Sequence, residues 1–150
     1  MTPPVVAYTG NAGTYTVDQT VNIVCTATDN LSGVASTTCA NVVAPAFTFG
    51  LGDHPFSATA TDFAGNTGGG STSFTVEVTP ASLCNLTRMF STKPQVGDSL
   101  CAKLDGAASA ATPSARAGKI GAFINEVSAQ SGKAFDPSEA ALLIGFASAL

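Results

Sequence analysis

Between Phe74 and Arg88 the repeat of apolar residues changes from two to about three and a half, so one regular element cannot carry both stretches. Phe74, Val76 and Val78 alternate with Thr75, Glu77 and Thr79, as a strand with one buried face requires. Leu83, Leu86 and Met89 or Phe90 recur instead at helical spacing. Thr79 and Pro80 stand at the change. The threonine hydroxyl can accept from the first helical N–H groups, and proline suits the first helical position because it has no N–H to leave unpaired. Everything before this point reads as strand and everything after as helix. The expected fold class is therefore two domains, an all-β sandwich over residues 1–79 and a small all-α bundle of about four helices over residues 80–150.

Domains of this size bury little apolar surface, so a covalent staple is expected. The four cysteines divide evenly, with Cys25 and Cys39 in the first half and Cys84 and Cys101 in the second. Two intradomain disulfides, Cys25–Cys39 and Cys84–Cys101, are expected, with buried free thiols as the alternative. Zinc is excluded by the lack of any Cys-x-x-Cys and by His54 being the single histidine.

The formal charge of -4 conceals an asymmetry. Residues 1–80 carry Asp18, Asp29, Asp53, Asp62 and Glu77 with no lysine or arginine, while residues 81–150 carry six basic and five acidic side chains. Neither half offers a basic patch, which argues against a nucleic-acid partner. The longest apolar run, Ala140 to Leu150, is too short for a membrane span. Few charges, many Thr, Ser, Gly and Ala, and paired cysteines favour an extracellular or cell-surface location. The opening Thr2-Pro-Pro4 reads as a linker, so the chain reads as a fragment of a longer protein.

In the first half, short strands are expected at Val5–Tyr8, Thr14–Val17, Val21–Thr28, Val34–Cys39, Ala46–Phe49, Phe56–Thr61 and Ser71–Thr79, separated by Gly, Pro, Asn and Asp turns. This spacing points to a β-sandwich. Three runs carry a resemblance: Pro3-Pro4-Val5-Val6, Cys25-Thr-Ala-Thr-Asp29 with Ser32-Gly33-Val34, and Ala58-Thr-Ala-Thr-Asp62-x-Ala-Gly-Asn66-Thr67. They resemble the bacterial immunoglobulin-like repeats related to the HYR type, which serve as stalks and spacers in surface proteins. The resemblance implies an immunoglobulin-like sandwich; the chain departs from antibody domains in having no Trp and a cysteine pair expected to join neighbouring strands, which leaves an antigen-receptor role unsupported.

That topology places the turns Asp29–Gly33 and Asp62–Asn66 side by side. Asp29 and Asp62 then have two readings. They could supply carboxylates to a Ca2+ ion, which prefers oxygen ligands from adjacent loops, or each could close its own turn through its side chain. Asp18, Asp53 and His54 are expected at the opposite end, with Arg88 or Lys93 close by.

In the second half, helices are expected from Pro80 to about Phe90, from near Asp98, from Pro113 to about Ser131 with Gly132 as cap, and from Asp136-Pro-Ser-Glu139 onward. Ile120, Phe123, Ile124 and Val127 should be buried, as should Leu142, Leu143, Phe146 and Leu150. Leu83-Cys84, Leu100-Cys101-x-Lys103-Leu104, Phe123-Ile-Asn-Glu-Val127, Gly132-Lys133 and Ala140-Ala-Leu-Leu-Ile144 with Ala147 resemble the FIMAH-type domain. That short helical module occurs toward the ends of bacterial extracellular proteins, many of which degrade polysaccharides. Lys133 is the main polar residue of the match, and its simplest role is to interact with a helix C-terminus.

No nucleophile stands with a base and an orienting partner, so no catalytic residue is assigned and the chain reads as a non-enzyme. The leading expectation is a non-catalytic accessory fragment of a secreted or surface-displayed bacterial protein, acting as a spacer or interaction module. The alternative is a carbohydrate-binding or calcium-dependent adhesion module. Its partners would be polysaccharide or cell-surface components, and Phe63, in the Asp62–Asn66 turn, is the aromatic whose exposure separates the two.

Overall fold

The computed structural model describes residues 2–150. Among them, seven strands come first: β1 (Val5–Thr9), β2 (Thr14–Thr16), β3 (Thr20–Thr28), β4 (Val34–Thr37), β5 (Val42–Pro45), β6 (Gly52–Asp62) and β7 (Thr67–Glu77). Four helices follow: α1 (Pro80–Phe90), α2 (Pro94–Ala108), α3 (Pro113–Gln130) and α4 (Pro137–Ala147). One sheet has three strands in the order β1-β3-β5, and the other has four in the order β2-β7-β6-β4.

β3 shows why these residues form strands. Val21 and Ile23 are fully buried while Thr20, Asn22 and Val24 are exposed, so one face joins the core and the other meets solvent. β1 and β5 pair antiparallel with β3 on either side, which places Val6 opposite Ala27 and Val42 opposite Ile23. Val6, Ala58 and Ala60 form a core cluster, with Tyr8, Cys25, Ala27, Val34 and Cys39 packed against it.

Three strands differ most from the sequence expectation, among them β6, which begins at Gly52 rather than Phe56. The segment expected as a strand at Ala46–Phe49 is a 3-10 turn, Ala46–Thr48, and the strand is Val42–Pro45. The β-branched Val42 and Val43 pair with β3, whereas Pro45 has no N–H for a ladder. The turn is closed by Ala46 N donating to Gln19 O at 2.8 Å and Thr48 Oγ1 donating to Pro45 O at 2.6 Å. β7 begins at Thr67 rather than Ser71, so three glycines lie inside a strand. A Cβ on Gly68 would overlap the Pro4 carbonyl, and one on Gly70 would overlap the Val6 carbonyl. Gly68 and Gly70 are there because the backbone of Pro4 and Val6 lies directly against them.

Each helix begins with a proline at its first turn. At α1, Thr79 and Ser82 form a reciprocal capping box, and at α4 Asp136 and Glu139 do the same. α2 starts at Pro94, ahead of the expected Asp98, because proline presets the helical φ without needing a side-chain cap. Leu83, Leu86, Leu100, Leu104, Phe123, Val127 and Leu143 are fully buried between the helices, each contributing about 1.5–3 kcal/mol. Leu142, expected inside, is 36% exposed, and its neighbour Leu143 takes the core position.

The cysteines form two disulfides, Cys25–Cys39 with Cα atoms 5.5 Å apart and Cys84–Cys101 at 4.9 Å. The first does not join neighbouring strands of one sheet. It ties β3, in the three-stranded sheet, to the segment leaving β4 of the four-stranded sheet. The second clips α1 to α2.

This arrangement corrects the expected fold class of an all-β immunoglobulin-like sandwich domain followed by an all-α domain. The 150 residues make a mixed α/β fold in which sheets precede four helices. Its compact units are not successive segments, because Thr16–Asp18 group with Val78–Leu150 while Met1–Tyr15 and Gln19–Glu77 form the other unit. The reason is local chemistry: the Asp18 carboxylate accepts from the Thr16 hydroxyl at 2.6 Å and from Asn85 Nδ2 at 2.8 Å. Sequence periodicity reads each stretch alone and carries no sign of such a contact.

Candidate functional site

The turns that follow β3 and β6 lie side by side. Val34 of β4 pairs with Asp62 of β6, and Phe63 N donates to Gly33 O at 3.2 Å. Within the first turn, Asp29 Oδ1 accepts from the backbone N–H of Leu31 at 3.1 Å, Ser32 at 2.7 Å and Gly33 at 2.7 Å. Within the second, Asp62 Oδ1 accepts from Ala64 N at 2.9 Å and Asn66 N at 2.7 Å, while Oδ2 accepts from Asn66 Nδ2 at 2.7 Å. Asp62 is only 2% exposed, yet its polar atoms are satisfied. Each carboxylate thus organises the backbone of its own turn.

These bonds fix the ionisation of both groups. At Asp29, burial is the largest single influence and favours the neutral form, but the N–H groups of Gly33, Leu31 and Ser32 with the Ser32 hydroxyl outweigh it and hold the carboxyl below its ordinary value. At Asp62, the Asn66 side-chain amide leads, ahead of the opposing burial, and the net direction is again downward. The Ser32 hydroxyl acts in the lowering direction on both. Asp136 is lowered in turn by the Ser138 hydroxyl and N–H at the start of α4.

A carboxyl held below its unfolded pKa stabilises the fold fully above the unfolded value, near pH 4, and that contribution is lost as the folded form takes up protons. The melting temperature should therefore stay level from neutral pH to about pH 5 and fall steadily below about pH 4. Asp62→Asn should make the acid limb shallower. Calorimetry across this range checks the assignment, and an Asp62→Asn curve parallel to that of the unaltered chain would refute it.

The turns present large apolar side chains to solvent. Phe63 is 76% exposed and Leu31 77%, at the tips of neighbouring turns, and Val5 beside the first turn is 62% exposed. The Phe63 ring passes over Gly33, where an added Cβ would stand 3.7 Å from ring carbon Cδ2. Gly33 has a φ of +78°, which glycine adopts without strain. Phe63 was readable as a candidate from its place in the turn, whereas Leu31 carried no separate signal.

The other candidates each contact partners within the chain. His54 Nε2 lies 3.0 Å from Gly50 O, and its ring packs beside Phe49 and Phe74, with centroids 5.6 and 5.3 Å away. Asp53 accepts from the Thr75 hydroxyl at 2.6 Å. Arg88, expected near Asp18, Asp53 and His54, pairs instead with Asp98 at 3.1 Å. Lys133 Nζ donates to Ala129 O at 3.0 Å at the end of α3. Among the described residues, no three His, Cys, Asp or Glu side chains come together in a way that could hold a metal ion. No protein-family model matches the chain, and no curated protein matches it.

Proposed function

We propose that the chain is a non-catalytic accessory part of a secreted or surface-displayed bacterial protein, positioning a catalytic or adhesive region and offering a contact face of its own. The observation that supports this is how its reactive side chains are used. His54 packs among aromatic rings, Asp29 and Asp62 close turns, Arg88 and Lys103 form ion pairs with Asp98 and Glu126, and all four cysteines are in disulfides. Acid, base and nucleophilic chemistry each need a group poised toward a substrate, and these groups are committed elsewhere. The two disulfides fit an extracellular setting. The resemblance of both halves to modules of bacterial extracellular proteins, FIMAH-type in the helical part, adds to the reading.

The test is a screen of the purified chain against chromogenic polysaccharide, peptide and ester substrates. Rates at the buffer background are expected. Turnover that persists through purification and disappears in His54→Ala would overturn the proposal.

The side-by-side Asp29 and Asp62 turns favour a second reading, calcium-dependent adhesion. An ion bound only by the folded form raises the melting temperature by mass action. Under this reading the midpoint climbs with calcium concentration, and Asp29→Ala or Asp62→Ala abolishes the climb. Identical midpoints in calcium and in chelator would end it.

A further inference from the structure

Phe63 and Leu31 combine two properties that rarely meet in a surface loop: they are almost fully exposed, and the backbone beneath them is rigidly hydrogen-bonded. An exposed aromatic on a mobile loop costs little and says little, whereas one on a fixed backbone presents a contact surface with little backbone ordering entropy left to lose. The charge around it narrows the ligand. Residues 2–79 carry five carboxylates and no lysine or arginine, so anionic polymers are repelled. The two acids nearest the ring accept hydrogen bonds from their own turns. What the two turns present is the exposed Phe63 ring over Gly33 and, on the first turn, the exposed Leu31 side chain with Val5 and the Asn30 amide beside it.

We propose that the paired Asp29–Gly33 and Asp62–Asn66 turns dock an uncharged polysaccharide, with the Phe63 ring stacked on the C–H face of a sugar. A pyranose is amphipathic in the matching way: its ring face is apolar and its rim carries hydroxyls that an amide can bond. This inference rests on the accessory reading above and supplies its ligand class.

Affinity electrophoresis of the full chain tests it. The gels contain a soluble β-1,3-glucan, hydroxyethylcellulose, galactomannan, arabinoxylan or amylopectin, with polygalacturonate as the anionic comparison. At least one neutral polymer is expected to retard the chain. Phe63→Ala should weaken that retardation by about tenfold in apparent affinity, and Phe63→Trp should preserve it. Because Phe63 is exposed, both variants should keep the parent's melting temperature, which separates a lost contact from a lost fold. Retardation by none of the neutral polymers, retardation only by polygalacturonate, or retardation unchanged in Phe63→Ala would each overturn the proposal. Hydrolysis of a polymer would defeat the accessory reading instead, so the two failures are distinct.

Discussion

Alanine at Gly70 is expected to destabilise the strand-rich unit by about 3 kcal/mol, and alanine at Gly69, one residue away, by nothing. A Cβ on Gly70 would overlap the Val6 carbonyl, so β1 must move off β7 or the strand must bend. Backbone cannot rotate aside as a flexible side chain can, which places this substitution at the costly end of overpacking. At Gly69 the added atom would stand 3.5 Å from Ala58 O, an ordinary contact, and the residue is exposed. There alanine reduces the freedom of the unfolded chain and should be neutral or slightly stabilising. Gly68→Ala should behave as Gly70→Ala does, because its Cβ would overlap the Pro4 carbonyl. Urea denaturation of the three variants gives the comparison. Equal responses at positions 69 and 70 would show that β1 does not lie against β7 as described.

These glycines also mark where the sequence stopped being legible. A run of three glycines reads as punctuation, since glycine weakens a strand when considered alone. Its purpose depends on Pro4 and Val6, which are more than sixty residues away in the chain. The same limit explains Ala46–Phe49: its apolar residues suggest a strand, but the ladder partner of β3 is the β-branched Val42–Val43 pair just before it. Thr16–Asp18 were assigned with the strands by their order in the chain, and the Asn85 amide that draws Asp18 elsewhere cannot be foreseen from either segment. Features set within a few residues were legible. The capping boxes at Thr79 and Asp136 follow from hydroxyl, carboxylate and proline placed at short fixed spacing. The turn at Asp62 was readable for the same reason, as Asp-x-x-Gly-Asn supplies both the acceptor and the donors that close it. The exposure of Phe63 was not, because periodicity separates buried from exposed positions in regular elements and has no purchase on a turn.

Replacing Cys84 and Cys101 together by alanine should cost at least about 3 kcal/mol, and more than the same change at Cys25 and Cys39. The bonds close chain segments of similar length, with sequence separations of 17 and 14, so the loss of constraint on the unfolded chain is nearly the same for both. What differs is the folded side. Cys84 and Cys101 are 6% and 1% exposed, between α1 and α2, whereas Cys25 and Cys39 are only half-buried. Removing sulfur from the helical site leaves a void that its neighbours, packed in a close layer of leucines, cannot fill, and the cavity adds to the entropic loss. Solvent access also sets the order of chemical reduction, so mild thiol should open Cys25–Cys39 first. Full reduction removes about 3 kcal/mol from each unit, a large share of the stability of a typical small domain. The reduced chain should then be largely unfolded at temperatures where the oxidised chain is intact. Circular dichroism melts of the oxidised, partly reduced and fully reduced chain, with thiol counting at each stage, test the sequence of events. Coincident midpoints for the oxidised and reduced forms would mean that packing alone holds both units, and that the disulfides protect the chain without stabilising it.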